Sequence, residues 1–238
     1  MKLDILAFAA HPDDAELGCA GTLALHMASG FKVGVIDLTH GELGTRGSSE
    51  IRLQEALDAS KILKLAVREN LGMEDGFFED NQGNQLKIIE AIRTYRPDII
   101  LGTAINDRHP DHGRAAELLK TAWFLAGLQR IKTIVNGKEQ KAFRPQAFYH
   151  YIQSLFIQPD FIVDVSEYWD IKIEAIKAFK SQFYDPDSKE PETFISSPGF
   201  LQALEARARE FGYSIDVKFG EGFTTVRNIG VSSLYDLK

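Results

Sequence analysis

Residues 3–14 read LDILAFAAHPDD, a short apolar run that stops on a histidine, a proline and two aspartates. A run of this length closed by turn formers predicts a buried strand whose carboxyl end is at His11. Working outward, residues 15–29 carry apolar side chains at helical spacing (Leu17, Ala20, Leu23, Leu25, Met27), and Gly30 stands where a helix cap belongs. A second strand is predicted over 32–39. The glycine-punctuated loop 41–49, GELGTRGSS, follows, and its Ser48 or Ser49 can cap a helix over 51–64. A weak strand over 67–71, a helix over 85–95 and a strand over 98–103 repeat the pattern, and a further helix is expected after Gly113. Strands alternating with helices predict an α/β fold, a doubly wound, Rossmann-like, mostly parallel sheet.

Beyond residue 127 the alternation breaks down. Strands are expected over 132–134, 147–152 and 161–165, some antiparallel, around the hairpin-like VNGKEQ. Ser166 can cap a long helix reaching to 183, Ser196 or Ser197 another over 198–211, and 215–227 should return as extended chain. No repeat or long linker interrupts the chain, so it reads as one domain over 1–238 with an elaborated C-terminal third.

The 238 residues are 44% hydrophobic and 26% charged, ordinary values for a folded protein that needs no structural metal. A net charge of −7 without a basic cluster argues against nucleic acid as partner. The single cysteine, Cys19, reads as a small buried hydrophobe. No apolar stretch is long enough to span a membrane and the N-terminus lacks a signal-peptide pattern, so a cytoplasmic protein is expected.

Two clusters carry the chemistry: His11-Pro12-Asp13-Asp14 after the first predicted strand, and His109-Pro110-Asp111-His112 after the fourth. Strands one and four are neighbours in the commonest doubly wound order, so both clusters would face one crevice at the carboxyl edge. Two imidazoles and one carboxylate bind a borderline divalent ion and leave positions open for water and substrate. Adjacent aspartates rarely converge on one ion. One of Asp13 and Asp14 should therefore ligate while the other acts as a base; the spacing does not say which. One histidine of the second cluster can ligate, and the other, protonated, can stabilise an oxyanion or protonate a leaving amine. Asp111 can orient either imidazole.

The strings AHPDDAELGCAGTLA, THGELGTRGS with Arg52 and Glu55 after it, and NDRHPDHGRA resemble the LmbE-like, or PIG-L, N-acetylglucosaminyl deacetylases over nearly the whole chain. The sequence is most similar to the bacillithiol-pathway branch of the B1 type, which acts on N-acetylglucosaminyl malate. The resemblance implies a metal-dependent N-deacetylase with zinc, or alternatively iron(II), on His11, Asp14 and His112. It makes Asp13 the general base, His109 the oxyanion-stabilising acid and Asp111 its partner. It further makes Arg52 a substrate-binding arginine and Asp75 a sugar-hydroxyl ligand. Arg108, beside the second cluster, could meet a substrate carboxylate such as malate's. The implied partner is a small amino-sugar conjugate, and homo-oligomers, often hexamers, are implied for the assembly. Deacetylation of chitooligosaccharides, an iron(II) oxygenase and a non-catalytic carbohydrate-binding protein are the competing readings. Phe77, Phe78, Trp123, Phe124 and Tyr151 could line a sugar site, with core packing as the plainer expectation; His26 reads as a packing or surface residue, His40 carries no ligand pattern, and His150 reads as core or pocket wall.

Overall fold

The computed structural model describes residues 1–236; the last two positions of the expected domain lie outside the described residues. Strand β1 (Ile5–Ala9) is buried along its whole length, and its carboxyl end delivers the chain to His11. Helix α1 (Asp14–Ala28) starts at once. It ends at Ser29 with Gly30 at a φ of 88°, a left-handed stop that glycine adopts without strain. Strand β2 (Val33–Thr39) and helix α2 (Ser49–Leu63) follow, the latter capped by the Ser48 side chain, which accepts from the Ile51 N–H at 3.3 Å. Then come β3 (Val67–Met73), α3 (Gln82–Tyr95), β4 (Ile99–Gly102) and α4 (Pro110–Ala126).

The C-terminal third adds the hairpin β5 (Ile134–Val135) and β6 (Lys138–Glu139), then β7 (Ala147–Tyr151), β8 (Phe161–Asp164), α5 (Trp169–Lys177), α6 (Phe200–Ser214) and β9 (Gly220–Thr225). The large sheet has the order β3-β2-β1-β4-β7-β9-β8. Its first five strands run parallel, and β9 enters antiparallel to both β7 and β8. Ile5 of β1 stands level with Val33 of β2 on one side and Ile99 of β4 on the other. The direction of winding reverses between β1 and β4, which opens a crevice at their carboxyl ends. One apolar layer, with Phe8, Ile36, Ile88, Ile92 and Leu118, lies under α3 and α4; a second, with Ala7, Cys19, Leu23, Val35 and Tyr151, lies under α1.

Four expectations need correction. Helix α4 starts at Pro110 rather than after Gly113, because His109 caps it and proline is pre-shaped for a first helical turn. The strand expected over 132–134 is displaced into the β5–β6 hairpin, whose turn residues Asn136 and Gly137 both have positive φ, 52° and 74°. The helix expected from a Ser166 cap to 183 runs only from Trp169 to Lys177: Ser166 Oγ accepts the Lys218 and Phe219 N–H groups instead, and the turns beyond Lys177 bury Phe179 and Phe183 against Leu17, Ala56 and Ala59. Neither Ser196 nor Ser197 caps α6: Gly199 holds that position, while Ser196 Oγ is engaged with Thr193.

Candidate metal centre

The two clusters meet where β1 and β4 lie side by side. The carboxylate of Asp14, first residue of α1, sits between two imidazoles: Oδ2 is 3.4 Å from His11 Nδ1 and Oδ1 is 3.1 Å from His112 Nε2. All three residues are buried. The opposite ring nitrogens are occupied. His11 Nε2 faces Asp75 Oδ1 at 2.9 Å and Asp111 Oδ2 at 3.3 Å, and His112 Nδ1 faces Asp107 Oδ2 at 2.7 Å. A carboxylate on one ring nitrogen fixes the hydrogen there and leaves the other nitrogen's lone pair for a cation. Two such lone pairs and the Asp14 carboxylate therefore converge. Ligand atoms of a tetrahedral zinc with bonds of about 2.0–2.1 Å lie about 3.3 Å apart, close to each of the two Asp14–imidazole distances, which run to different oxygens of the carboxylate. The donor set fits zinc. The nitrogens of His11, His109 and His112 also fall within 4.8 Å of one another, so His109 borders the same point.

The electrostatics favour positive charge at that point. Burial works against protonated His11, yet hydrogen bonds with Asp111, Asp14 and Asp75 hold its pKa well above the ordinary range. Burial likewise opposes His112⁺, but Asp14 and Asp107 bring it up to about 9. For Asp14 burial pushes upward, and the two imidazoles outweigh it and hold the carboxyl well below the usual range. Asp13 differs from its neighbour. Burial lifts its pKa to about 7 against the pull of Arg52, whose Nη2 lies 3.2 Å from its Oδ2. Asp13 also adopts a φ of 114°, a strained left-handed backbone, and its side chain meets Arg52 rather than an imidazole. Of the two aspartates, Asp14 lies between the imidazoles and Asp13 stands apart as a buried acid with a neutral-range pKa.

His109 caps α4, and its Nδ1 accepts the Asp111 N–H at 3.3 Å. In the neutral ring the hydrogen is therefore on Nε2. Burial and the nearby His11 and His112 lower its pKa, so the protonated ring expected from the sequence is disfavoured and a neutral donor takes its place. Asp111 is not its carboxylate partner. That carboxylate accepts from Arg114 Nη1 at 2.6 Å and the Gly76 N–H at 2.9 Å, and it faces His11. Asp75 is engaged through both oxygens, on His11 and on the Leu43 N–H, and it also lines the cavity beside the cluster.

Arg52 donates to the Pro12 and Gly41 carbonyls as well as to Asp13, so it braces the base and the loop after β2. Arg108 is exposed, and its guanidinium lies over the Phe194 ring at 4.4 Å. Both arginines line a cavity of about 400 Å³ together with Leu43, Thr45, Thr193 and Phe194. The suggested aromatics lie elsewhere: Phe78 and Tyr151 are core residues, Trp123 donates to the Pro145 carbonyl, and Phe124 stacks with Arg144. His26 bonds the Thr22 carbonyl within its helix, and His150 the Thr103 carbonyl. Two residues of the site escaped the sequence reading. Asp107 clamps His112 and accepts the Ser154 and Leu155 N–H groups, and Gln153 Nε2 donates to Asp14 Oδ1 at 2.6 Å. The only signal for Asp107 was a carboxylate at a strand's carboxyl end, and Gln153 had none beyond following β7.

Residues 6–123, which carry both histidine clusters, match the pattern of the GlcNAc-PI de-N-acetylases, PIG-L. The chain belongs to the PIG-L family. A conserved protein of Thermus thermophilus, of known structure, is 36% identical, superposes with a TM-score of 0.85, and is covered over 98% of its length by 97% of this chain. A diacetylchitobiose deacetylase of Thermococcus kodakarensis is 28% identical over 191 residues, 75% of this chain and 70% of that protein. A probable N-acetyl-alpha-D-glucosaminyl L-malate deacetylase 2 of Bacillus subtilis is 26% identical over 202 residues, 76% of this chain and 84% of that protein. None of the described helices is long and apolar enough to cross a membrane.

Proposed function

We propose that this PIG-L protein is a zinc-dependent hydrolase that removes the N-acetyl group from a glucosamine conjugate. The observation that carries the reading is the division of labour at the strand ends. Asp14 lies between the free nitrogens of His11 and His112, while the neighbouring Asp13 is a buried carboxyl with a pKa of about 7 at the cavity wall. His11, Asp14 and His112 would hold the ion, with iron(II) the alternative metal. Zinc bound there would supply a Lewis acid and lower the pKa of a water molecule. Asp13 takes the proton as water adds to the amide carbon, and Arg52 keeps its carboxylate oriented. His109 donates from Nε2 to the developing oxyanion. The proton held on Asp13 then reaches the departing amine. Asp75, Asp107 and Asp111 fix the two imidazole tautomers.

Of the candidate conjugates, N-acetylglucosaminyl malate fits best. Arg108 lines the cavity without an ion-pair partner among the described residues, free to take a carboxylate, which a neutral chitooligosaccharide does not offer. The cytoplasmic location, the small-molecule partner and a homo-oligomeric, hexameric assembly belong to the same proposal. Leu53 and Leu57, exposed one turn apart on α2, support a subunit contact, which light scattering checks. The deciding experiment is acetate release by the zinc-loaded protein from the malate conjugate and from diacetylchitobiose. Faster turnover of the malate conjugate supports the reading, activity on diacetylchitobiose alone overturns the substrate, and sugar binding without acetate release from either overturns the activity.

A further inference from the structure

Helix α1, which begins with Asp14, is gripped from the far end of the chain. Lys172 of α5 donates through Nζ to the Leu17 carbonyl at 2.8 Å and to Glu221 Oε1 at 2.6 Å. Glu221 of β9 accepts the N–H groups of Gly21 and Thr22 at 2.9 and 2.7 Å. Both charged side chains are almost fully buried, 3% and 2% exposed. The approach requires glycine, since a Cβ at residue 21 would lie 2.7 Å from Val165 Cβ and 3.1 Å from Glu221 Oε1. A buried ion pair is in general no more stabilising than a well-packed apolar pair. What this pair supplies is polar partners, from outside, for the backbone in the middle of the helix that starts at Asp14.

Two polar functions beside this grip lack a partner. Gln153 is 6% exposed, and while its Nε2 donates to Asp14, its Oε1 is buried with no hydrogen bond. The Lys172 ammonium has three N–H groups and two acceptors here. A space of about 20 Å³ is lined by both residues, with Arg207 and Glu221 as further polar walls and Leu17, Ile152, Leu204 and Phe211 as apolar ones. That is room for one water, and the polar side offers it partners. We infer that Gln153, held through one water by the Lys172–Glu221 pair, is a positioning residue for Asp14. The water accepts from Lys172 and donates to Gln153 Oε1, which fixes the amide so that its Nε2–H meets Asp14 Oδ1. The C-terminal third thereby sets the orientation of a carboxylate encoded near the N-terminus. This rests on the reading of Asp14 as a metal ligand.

The test uses the full chain. Gln153→Met keeps the volume and removes both hydrogen bonds, and zinc affinity is measured by competition with a chelating dye. A loss of about tenfold or more with unchanged far-UV circular dichroism is expected, as for other groups that orient metal ligands. Affinity within twofold of the wild type overturns the positioning role. The neutral pair Lys172→Met with Glu221→Gln should weaken zinc in the same direction, and adding Gln153→Met should weaken it no further. Fully additive losses overturn the link through water. Should that pair fail to fold, a high-resolution crystal structure of the wild type decides the link, since an empty space between Gln153 and Lys172 also overturns it. Asp14→Asn separates the two readings: if it binds zinc as tightly as the wild type, the ligand assignment itself fails.

Discussion

Asp13 and Asp14 show how one peptide bond can separate two chemistries. Asp14 is helical and lies between the imidazoles of His11 and His112, while Asp13 is left-handed at a φ of 114° and is buried beside Arg52. Asparagine tolerates that backbone better than alanine does, so Asp13→Asn removes the base with the least added strain. We expect it to lower kcat about 10²–10⁴-fold, the usual worth of a general base, with zinc content unchanged by elemental analysis. Turnover near the wild-type rate would remove Asp13 from the mechanism. Arg108 acts through charge at the cavity wall rather than at the reacting atoms. Arg108→Met should therefore raise KM for the malate conjugate about tenfold or more, leave its kcat close to normal, and leave a neutral conjugate unaffected. Equal effects on both conjugates would sink the carboxylate contact.

At the level of elements, the start of α4 joins folding and catalysis in one side chain. His109 Nδ1 caps the helix, and in the proposed mechanism its Nε2–H donates to the oxyanion. Asparagine caps helices well but cannot reach as far, so His109→Asn should keep the melting temperature while kcat falls about 10²–10³-fold. A large drop in melting temperature with normal kcat would reverse that division. Strand β7 carries a different histidine, His150, whose Nδ1–H donates to the Thr103 carbonyl at 2.7 Å. Burial lowers its pKa from the ordinary 6.5, and the Thr103 bond only partly compensates. A folded-state pKa below the unfolded value stabilises the fold above pH 6.5, and this contribution is lost as pH falls through the lowered value. His150→Asn keeps a donor and removes the titration, so the wild type should lose stability relative to it between pH 7.5 and 5.5 in urea unfolding. A pH-independent difference would contradict this. Much of this was legible locally: β1, α1 and β2 announce themselves through an apolar run, helical spacing and Gly30, and both histidine clusters stand at strand ends. What was not legible depends on distant packing. The end of α5 is set by where Phe179 and Phe183 find a core, Asp75 is claimed by His11 only once α3's preceding loop folds back, and Gln153 reaches Asp14 only because β7 lies beside β4.

For the whole molecule, the ion's proposed ligands join two halves of the crevice, since His11 and Asp14 lie between β1 and α1 while His112 lies in the first turn of α4. The two apolar layers that face the sheet run up to this point at Ala10 and Ala15, but they are built from side chains that bury one another. A chain of this size buries enough apolar surface to fold alone, so zinc should add to an existing fold rather than create it. The carboxylates around His11 and His112 already hold positive charge between the strands, which lets the apo state keep the same pairings with protons in the ion's place. Chelated protein should therefore keep its far-UV circular dichroism and melt cooperatively. Adding zinc at about a hundredfold over its dissociation constant should contribute about 2.7 kcal/mol. At about 2–4 °C per kcal/mol for a chain of this length, that corresponds to a rise of about 5–10 °C in melting temperature. The rise should shrink in His112→Ala and Asp14→Asn, and it should be lost below the pH at which imidazole protons outcompete the metal. Loss of secondary structure on chelation would make the ion structural and would contradict the independence of the two apolar layers. A zinc-induced rise that survives in both ligand variants would place the ion elsewhere on the molecule.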